Sequence, residues 1–376
     1  MPIAVTTDVL RDLAAFEADN GCALSIFIDF DPSSAPTPGE VDTKFNAVLS
    51  DAEKAADAAA GGRDCRIALA ADLERIRTWW DDEFDRDGAR GVAIFASSAD
   101  DFFRTVLLSD GAGDGATVSR ELYLRPLAGQ LGRGNGALVV VVSRERGTVY
   151  RLTGGRLVEV ADETDDVPGR HDQGGWAQAR YQRHIEKLVR DHLKSVGDEV
   201  EKRVRGGNGL VIAGVAPEDL RGGFEQELGA EARAALAGWT SAEAHAGPAD
   251  LLAAVRPLLD EALARREQET IERFEEERGR GGRAAGGWKQ TLDAASDARV
   301  EVLLLGPGTQ RVGWRCPECG RATADGGRCA LDDAKLEERP DASDLAIHQT
   351  LLHGGTVVEV GRGALGDEEI GALLRY

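Results

Sequence analysis

The stretch "RHDQGGWAQARYQRHIEK", residues 170–187, sets a Gly-Gly pair and a Trp at the mouth of a helical pattern whose two sides differ in kind. Ala177, Tyr181, Ile185, Leu188, Val189, Leu193, Val196 and Val200 recur at three- and four-residue intervals, which lays them on one side of a helix predicted over about 175–204. Arg180, Arg183, Lys187, Arg190 and Lys194 recur in a different register, so a basic stripe runs along another side. The apolar side of so long a helix must be covered by a packed layer. Strand patterns stand before it, in ALVVVVS (137–143) and the hairpin of TVYRL and RLVEV, and after it, in GLVIAGV (209–215). Helices follow to about Ala237. This part of the chain is predicted as an α/β domain with a mixed sheet and a long basic helix.

The flanking sequence alternates in the same way. A helix is predicted at Thr7 to Asp19, then the strand LSIFIDF (24–30) and a loop rich in Pro, Ser and Gly. Helices over about 40–60 and 66–85 precede the strands GVAIFAS (91–97) and FFRTVLLS (102–109). LAGQLGRGNG (127–136) marks a first boundary, and GRGGRAAGG (279–287), behind a charged helix from Ala249 to Arg278, marks a second. Beyond it come the helix WKQTLDAASD, the strand VEVLLLG (300–306), a cysteine-rich segment, the helix SDLAIHQTLLHGG and the strand TVVEV (356–360). The expectation is an α/β protein of three domains: an N-terminal α/β domain at 1–134, the central domain at 135–278, and a C-terminal αβα domain at 279–376 with a small cysteine-containing insertion.

Charge sorts the possible partners. The chain has 376 residues, with 45 Lys and Arg against 66 Asp and Glu, and its net charge of −21 repels a polyanion unless basic residues are segregated. Residues 170–205 segregate them, with nine Lys or Arg against six Asp or Glu. That is the pattern of a focused phosphate contact, with Arg170 among the nine. The alternative is a solvated face with pairs such as Glu186 to Arg190. Gly174 and Gly175 permit close backbone approach, and the N–H groups opening the helix favour an anion. His171 and His184 read as solvent or packing histidines. No apolar run approaches the roughly 18 residues of a membrane span, and the N-terminus lacks a basic-then-apolar leader pattern, so a cytoplasmic chain without membrane contact is expected.

The run R-H-D-Q-G-G-W-A-Q-A-R-Y-Q-R-H resembles the loop and helix of the central domain in archaeal and eukaryotic class-1 release factors. It is closer still to their bacterial relatives, and it is similar to the peptidyl-tRNA hydrolase of ribosome quality control. The early FIDFDPSSAPTP also resembles the opening strand and loop of the bacterial relatives. In that family a Gly-Gly loop carries a Gln into the peptidyl transferase centre, where it helps position the water that attacks the peptidyl-tRNA ester. The resemblance implies catalytic roles for Gly174, Gly175 and Gln178, with Gln173 a second candidate for the amide. It also implies an RNA-binding role for Arg170, Arg180, Arg183, Lys187, Arg190 and Lys194. Trp176 and Ala177 separate the glycines from Gln178, whereas in the release factors Gln follows directly. A Gln cannot act as a base at neutral pH, so its part would be to orient water by hydrogen bonds. The implied activity is hydrolysis of peptidyl-tRNA on stalled or split ribosomes by a monomer, with no cofactor in the chemistry. The alternative is a factor that occupies the ribosomal A site without hydrolysis, similar to pelota and to hibernation factors.

"CPECGRATADGGRCALDD" supplies Cys316, Cys319 and Cys329, and Asp332 follows Cys329 by the spacing at which Cys319 follows Cys316. Three thiolates and a carboxylate can complete a tetrahedral structural zinc site, with Asp333 an alternative fourth ligand. A knuckle that holds no metal and a redox pair are the other readings. Cys22 and Cys65 stand isolated and do not suggest a disulfide framework. Asp29 and Asp31, at the end of the first strand, read as turn formers. GRGNG (132–136) precedes a strand, so it is no nucleotide fingerprint.

Overall fold

A computed structural model of the chain describes residues 5–19, 22–58, 62–86, 88–131, 136–164, 176–205, 210–243 and 245–376, with 176–182 described for the backbone alone. The described structure is mixed α/β and comprises two compact units, one made of Met1–Asn135 together with Arg265–Tyr376, the other of Gly136–Ala264.

The first unit opens with α1 (Thr7–Ala14), whose N-terminal amide at Val9 donates to the Thr6 hydroxyl at 3.3 Å. The helix stops short of the predicted Asp19, and Glu17 instead forms a β-bridge with Glu121. β1 (Ala23–Asp29), α2 (Pro38–Ala58), α3 (Arg63–Asp82), β2 (Gly91–Ser97), β3 (Phe102–Leu108) and β4 (Gly115–Ser119) follow, and then the single turn α4 (Arg125–Ala128). The strands make an antiparallel sheet in the order β3-β2-β1-β4. β1 is buried on both faces. Leu24, Ile26 and Ile28 lie under α2 and α3 with Val41, Phe45, Leu69 and Ile76, while Ala23 and Phe27 belong to a second core on the opposite face. A strand covered on both sides reads as an unbroken apolar run, as this one does.

Cys22 and Cys65, expected to stand apart, form a disulfide between the residue before β1 and the first turn of α3. Both are buried, and 43 residues of sequence separation hid the pairing. At the exit of β1, Asp29 Oδ1 accepts the N–H of Asp31 at 2.8 Å, and Asp31 Oδ1 accepts the N–H of Ser33 at 2.9 Å. These are Asx turns.

The central unit is a three-layer α/β/α arrangement. Its strands are β5 (Leu138–Val142), β6 (Arg146–Thr153), β7 (Arg156–Thr164), β8 (Ile212–Val215) and β9 (Leu236–Thr240), in the order β7-β6-β5-β8-β9. The hairpin pairs are antiparallel, and β5, β8 and β9 are mutually parallel, so the sheet is mixed. One face carries α5 (Trp176–Val204), α6 (Glu218–Glu227) and α7 (Ala230–Ala235), with Leu193, Val196, Val200 and Phe224 against Leu138, Val140 and Val149. The other face carries the first part of α8 (Pro248–Gly279), through Leu251, Val255 and Leu259. Helices were expected to run on to about Ala237, but β9 begins at Leu236, because Trp239 packs edge-on against Phe224 and draws the chain back into the sheet.

The rest of the first unit holds β10 (Ala284–Gly286), α9 (Gly287–Ser296), β11 (Val300–Leu305), the small strands β12 (Gly313–Arg315), β13 (Ala322–Thr323) and β14 (Glu337–Arg339), then α10 (Ala342–Leu352), β15 (Thr356–Glu359) and β16 (Ile370–Leu374). β10, β16, β11 and β15 form one sheet in that order, and β13-β12-β14 form a separate ribbon. GRGGRAAGG, expected to be a breaker segment, contributes β10, whose partner β16 lies at the far end of the chain.

The terminal segments share one core, in which Phe27, Phe95, Leu122 and Leu127 meet Trp288, Leu292, Leu303 and Leu345. A set of polar contacts fixes the same junction. His348 Nε2 lies 2.8 Å from the Leu122 carbonyl, and the Tyr123 hydroxyl donates to Asp341 at 2.8 Å. Asp344 Oδ1 accepts the N–H groups of Leu124 at 2.7 Å and Arg125 at 3.0 Å. The Arg125 guanidinium bonds Glu359 at 2.7 Å and the Gly306 carbonyl at 2.9 Å. Burial and the Asp341 carboxylate push the Tyr123 phenol well above its ordinary value, so it stays a donor. Among the described residues, no helix is long and apolar enough to cross a membrane.

Candidate functional site

α5 positions the basic stripe. Ile185, Leu193, Val196 and Val200 are buried toward the sheet, with Leu188 and Val189 half-buried, and Arg183, Lys187, Arg190 and Lys194 are exposed. Lys187, Arg190 and Lys194 form no ion pair among the described residues, and the Glu186 to Arg190 pair does not occur there. His192 is buried on the packed side, a position that the basic spacing around it conceals. Three cationic heads held out from a rigid helix suit phosphate oxygens better than they suit one another.

The helix begins at Trp176, so the backbones of Trp176, Ala177 and Gln178 lie in its first turn. Gly174, Gly175, Arg170, His171 and Gln173 lie outside the described residues, as do the side chains of Gln178 and Arg180.

The cysteine segment forms two equivalent turns on the β12–β14 ribbon. In the first, the Cys316 N–H donates to the Arg321 carbonyl at 2.9 Å and the Gly320 N–H to the Cys316 carbonyl at 3.0 Å. In the second, the Cys329 N–H donates to the Ala334 carbonyl at 2.8 Å and the Asp333 N–H to the Cys329 carbonyl at 3.0 Å. Gly320 (φ 74°) and Asp333 (φ 61°) occupy the same left-handed position, so Asp332 stands where Cys319 stands in the first turn. Asp333 is turned to Arg328 at 3.1 Å, which removes it as the alternative fourth ligand in this arrangement.

The four ligand atoms of Cys316, Cys319, Cys329 and Asp332 lie within 4.8 Å of one another. Cys319 and Cys329 Sγ are 3.5 Å apart, and Cys316 Sγ is 3.3 Å from Asp332 Oδ2. Sulfurs bound to one tetrahedral zinc at about 2.3 Å stand about 3.8 Å apart, so the cage is of zinc size. The amides of Cys319 and Leu331 point at Cys316 Sγ (3.5 Å) and Cys329 Sγ (3.4 Å), which favours thiolate. The Leu331 N–H is the chief cause that lowers the Cys329 thiol below its ordinary value, and the Ala334 N–H is the chief cause that pulls Asp332 down to about 2. These residues therefore fit a structural metal ion. All four coordination positions come from protein, which leaves none open for a reacting water.

The family-model match spans the central unit. The model of the bacterial archaeo-eukaryotic release factor family 10 matches residues 123–264, ending where that unit ends. Peptide chain release factor subunit 1 of Methanopyrus kandleri is 30% identical over 209 residues, which is 53% of this chain and 50% of the relative. The protein of the same name from Archaeoglobus fulgidus is 29% identical over 259 residues, 64% of this chain and 63% of the relative. The chain thus spans about half to just under two thirds of the length of these curated relatives. Among solved structures, S. cerevisiae Dom34, a translation termination-like factor, aligns over 76% of this chain and 79% of its own at 13% identity and a TM-score of 0.40. Over residues 123–264 the chain is thus similar to the bacterial archaeo-eukaryotic release factors of family 10, and over about half to two thirds of its length to archaeal peptide chain release factor subunit 1.

Proposed function

We propose that the protein is a cytoplasmic, ribosome-associated factor that hydrolyses the ester of peptidyl-tRNA on stalled or split ribosomes. The observation that carries this reading is the family match across the central unit, over a helix that holds Lys187, Arg190 and Lys194 exposed and without an ion pair among the described residues. In this reading Gly174 and Gly175 let the loop enter the peptidyl transferase centre, Gln178 orients the water, and the ribosome supplies the rest of the site. Arg170, Arg180, Arg183, Lys187, Arg190 and Lys194 bind ribosomal RNA or the tRNA acceptor end. The proposed division of labour follows the three-part reading at 1–134, 135–278 and 279–376, with the last part meeting a partner or subunit. A structural zinc on Cys316, Cys319, Cys329 and Asp332 would brace the ribbon, and no metal enters the chemistry.

The test is release of a labelled peptide from stalled large-subunit complexes by the wild type, Gln178→Ala and Gly174→Ala/Gly175→Ala. Release by the wild type that falls by about a hundredfold or more in Gln178→Ala supports the reading. Equal release by both removes Gln178 from the mechanism.

One observation favours a second reading. Because α5 starts at Trp176, Gln178 is a first-turn helical residue and not a loop residue. Tight ribosome binding without release in any variant would make the protein an occupant of the A site.

A further inference from the structure

β4 is an edge strand. β1 takes one side of it, and among the described residues its backbone is hydrogen-bonded to no other strand. The free side borders a cleft of about 740 Å3 in the first unit. All five residues of β4 line it. Ala116 and Val118, which pack toward α2 and α3, line it together with Gly115, Thr117 and Ser119 of the opposite parity. Side chains alternate between the faces of a sheet, so a cleft touched by both sets runs along the strand's edge. α10 and the residues before it, including Asp341, Leu345 and His348, also line the cleft, and Phe27 and Tyr123 add aromatic surface.

Sheet edges are ordinarily guarded by charge or proline. β7, an edge of the central sheet, carries Arg156, Glu159, Asp162 and Glu163, whereas β4 reads Gly-Ala-Thr-Val-Ser and has neither guard. Its surroundings carry the charge instead. Six carboxylates line the cleft against two arginines, Arg315 and Arg339, and one histidine, His348. Glu17 and Glu121 pair with Arg315 and Asp114 with Lys44, and Asp344 is held by backbone N–H groups, so Glu338 and Asp341 are the carboxylates without a cationic partner among the described residues.

We propose that β4 takes up an extended basic segment of a partner protein as an added strand. The outer N–H and C=O groups of β4 hold its backbone, and the carboxylates around the cleft select Lys or Arg side chains. The same negative field disfavours nucleic acid, and it disfavours a second copy of this chain, which would bring an identical acidic edge. The inference does not depend on peptidyl-tRNA hydrolysis.

The full chain is titrated with a fluorescein-labelled (Lys-Val)3 peptide and followed by fluorescence anisotropy. Binding should saturate, and it should weaken by about tenfold or more for the (Glu-Val)3 peptide and for a (Lys-Val)3 peptide N-methylated at alternate residues, which cannot donate along one edge. Hydrogen exchange of the 115–119 amides should slow in the complex. Thr117→Lys, which sets a like charge on the edge, should weaken binding while the melting temperature stays unchanged. The N-methylated peptide keeps the test decisive if that variant misfolds. Equal binding of the N-methylated peptide, equal binding of (Glu-Val)3, or no binding at millimolar peptide each overturns the proposal. A dimer that Thr117→Lys dissolves would assign the edge to a second copy and overturn it as well.

Discussion

Asp344 on α10 accepts the backbone N–H of Arg125 at 3.0 Å, and thereby ties the chain's exit from its N-terminal sheet to a helix more than two hundred residues later. The side chain is largely removed from solvent, and desolvation is the chief cause that pushes its carboxyl up from its ordinary value to about 6. His348, Asp341, Tyr123 and Arg125 are the titratable or charged residues around it.

An acid with a raised folded-state pKa binds its proton more tightly when folded. Its contribution favours the folded chain at low pH and is lost as pH rises from about 4 to about 6. In Asp344→Asn the amide oxygen can still accept from both N–H groups without ionising. The melting temperature of the variant, relative to wild type, should therefore climb between about pH 4 and pH 7 and level off above it. A difference that is constant over that range would remove Asp344 as the titrating group.

The two equivalent turns of the cysteine ribbon predict a graded metal affinity. Competition with a chromophoric chelator should show Asp332→Cys binding zinc more tightly than wild type and Asp332→Ala more weakly, by about tenfold or more. Asp333→Gly should keep the metal, since glycine suits the left-handed position and the exposed Arg328 pair contributes little. Metal content read by mass spectrometry that ignores Asp332 would exclude it as a ligand.

The Cys22–Cys65 bond closes a sequence separation of 43 residues, for which chain-entropy arguments give about 4 kcal/mol at most. Urea unfolding of the oxidised chain should show a higher midpoint than that of the dithiothreitol-treated chain. The Cys22→Ser/Cys65→Ser chain should show no such difference between the two conditions.

A Cβ at Gly214 on β8 would run into the indole of Trp239. Gly214→Ala should cost about 1–3 kcal/mol, and pairing it with Trp239→Leu should recover part of the loss. Additive effects in chemical denaturation would mean that the two residues do not share this space.

If the α5 stripe meets RNA, Lys187→Glu and Lys194→Glu should each weaken association with large ribosomal subunits and reduce the slope of log affinity against log salt by about one. Charge reversals that leave the slope untouched would place the contact elsewhere.

The elements that could be read from sequence are those whose burial pattern is complete within the element. β1, β2 and β5 are covered on both faces and read as apolar runs, and α5 shows its two sides by spacing alone. β4, β9, β10 and β16 are strands of three to five residues whose identity comes from pairing, and β10 pairs with residues near the chain's end. The metal-sized cage was legible because each turn is local and repeats one spacing. The Asp341, Asp344 and His348 contacts were not, because inside a helix pattern these residues look like ordinary polar positions until residues 122–125 are brought against them.

The shared core of the two terminal segments also sets an order on the ribosome that makes the chain. Phe27, Phe95 and Leu122 are synthesised well over a hundred residues before the residues that cover them, Trp288 to Leu345. The central unit, contiguous from Gly136 to Ala264, can close first, while the older N-terminal sheet waits with one face bare. A synthesis arrested before α10 therefore leaves an apolar, chaperone-attracting surface on the N-terminal sheet.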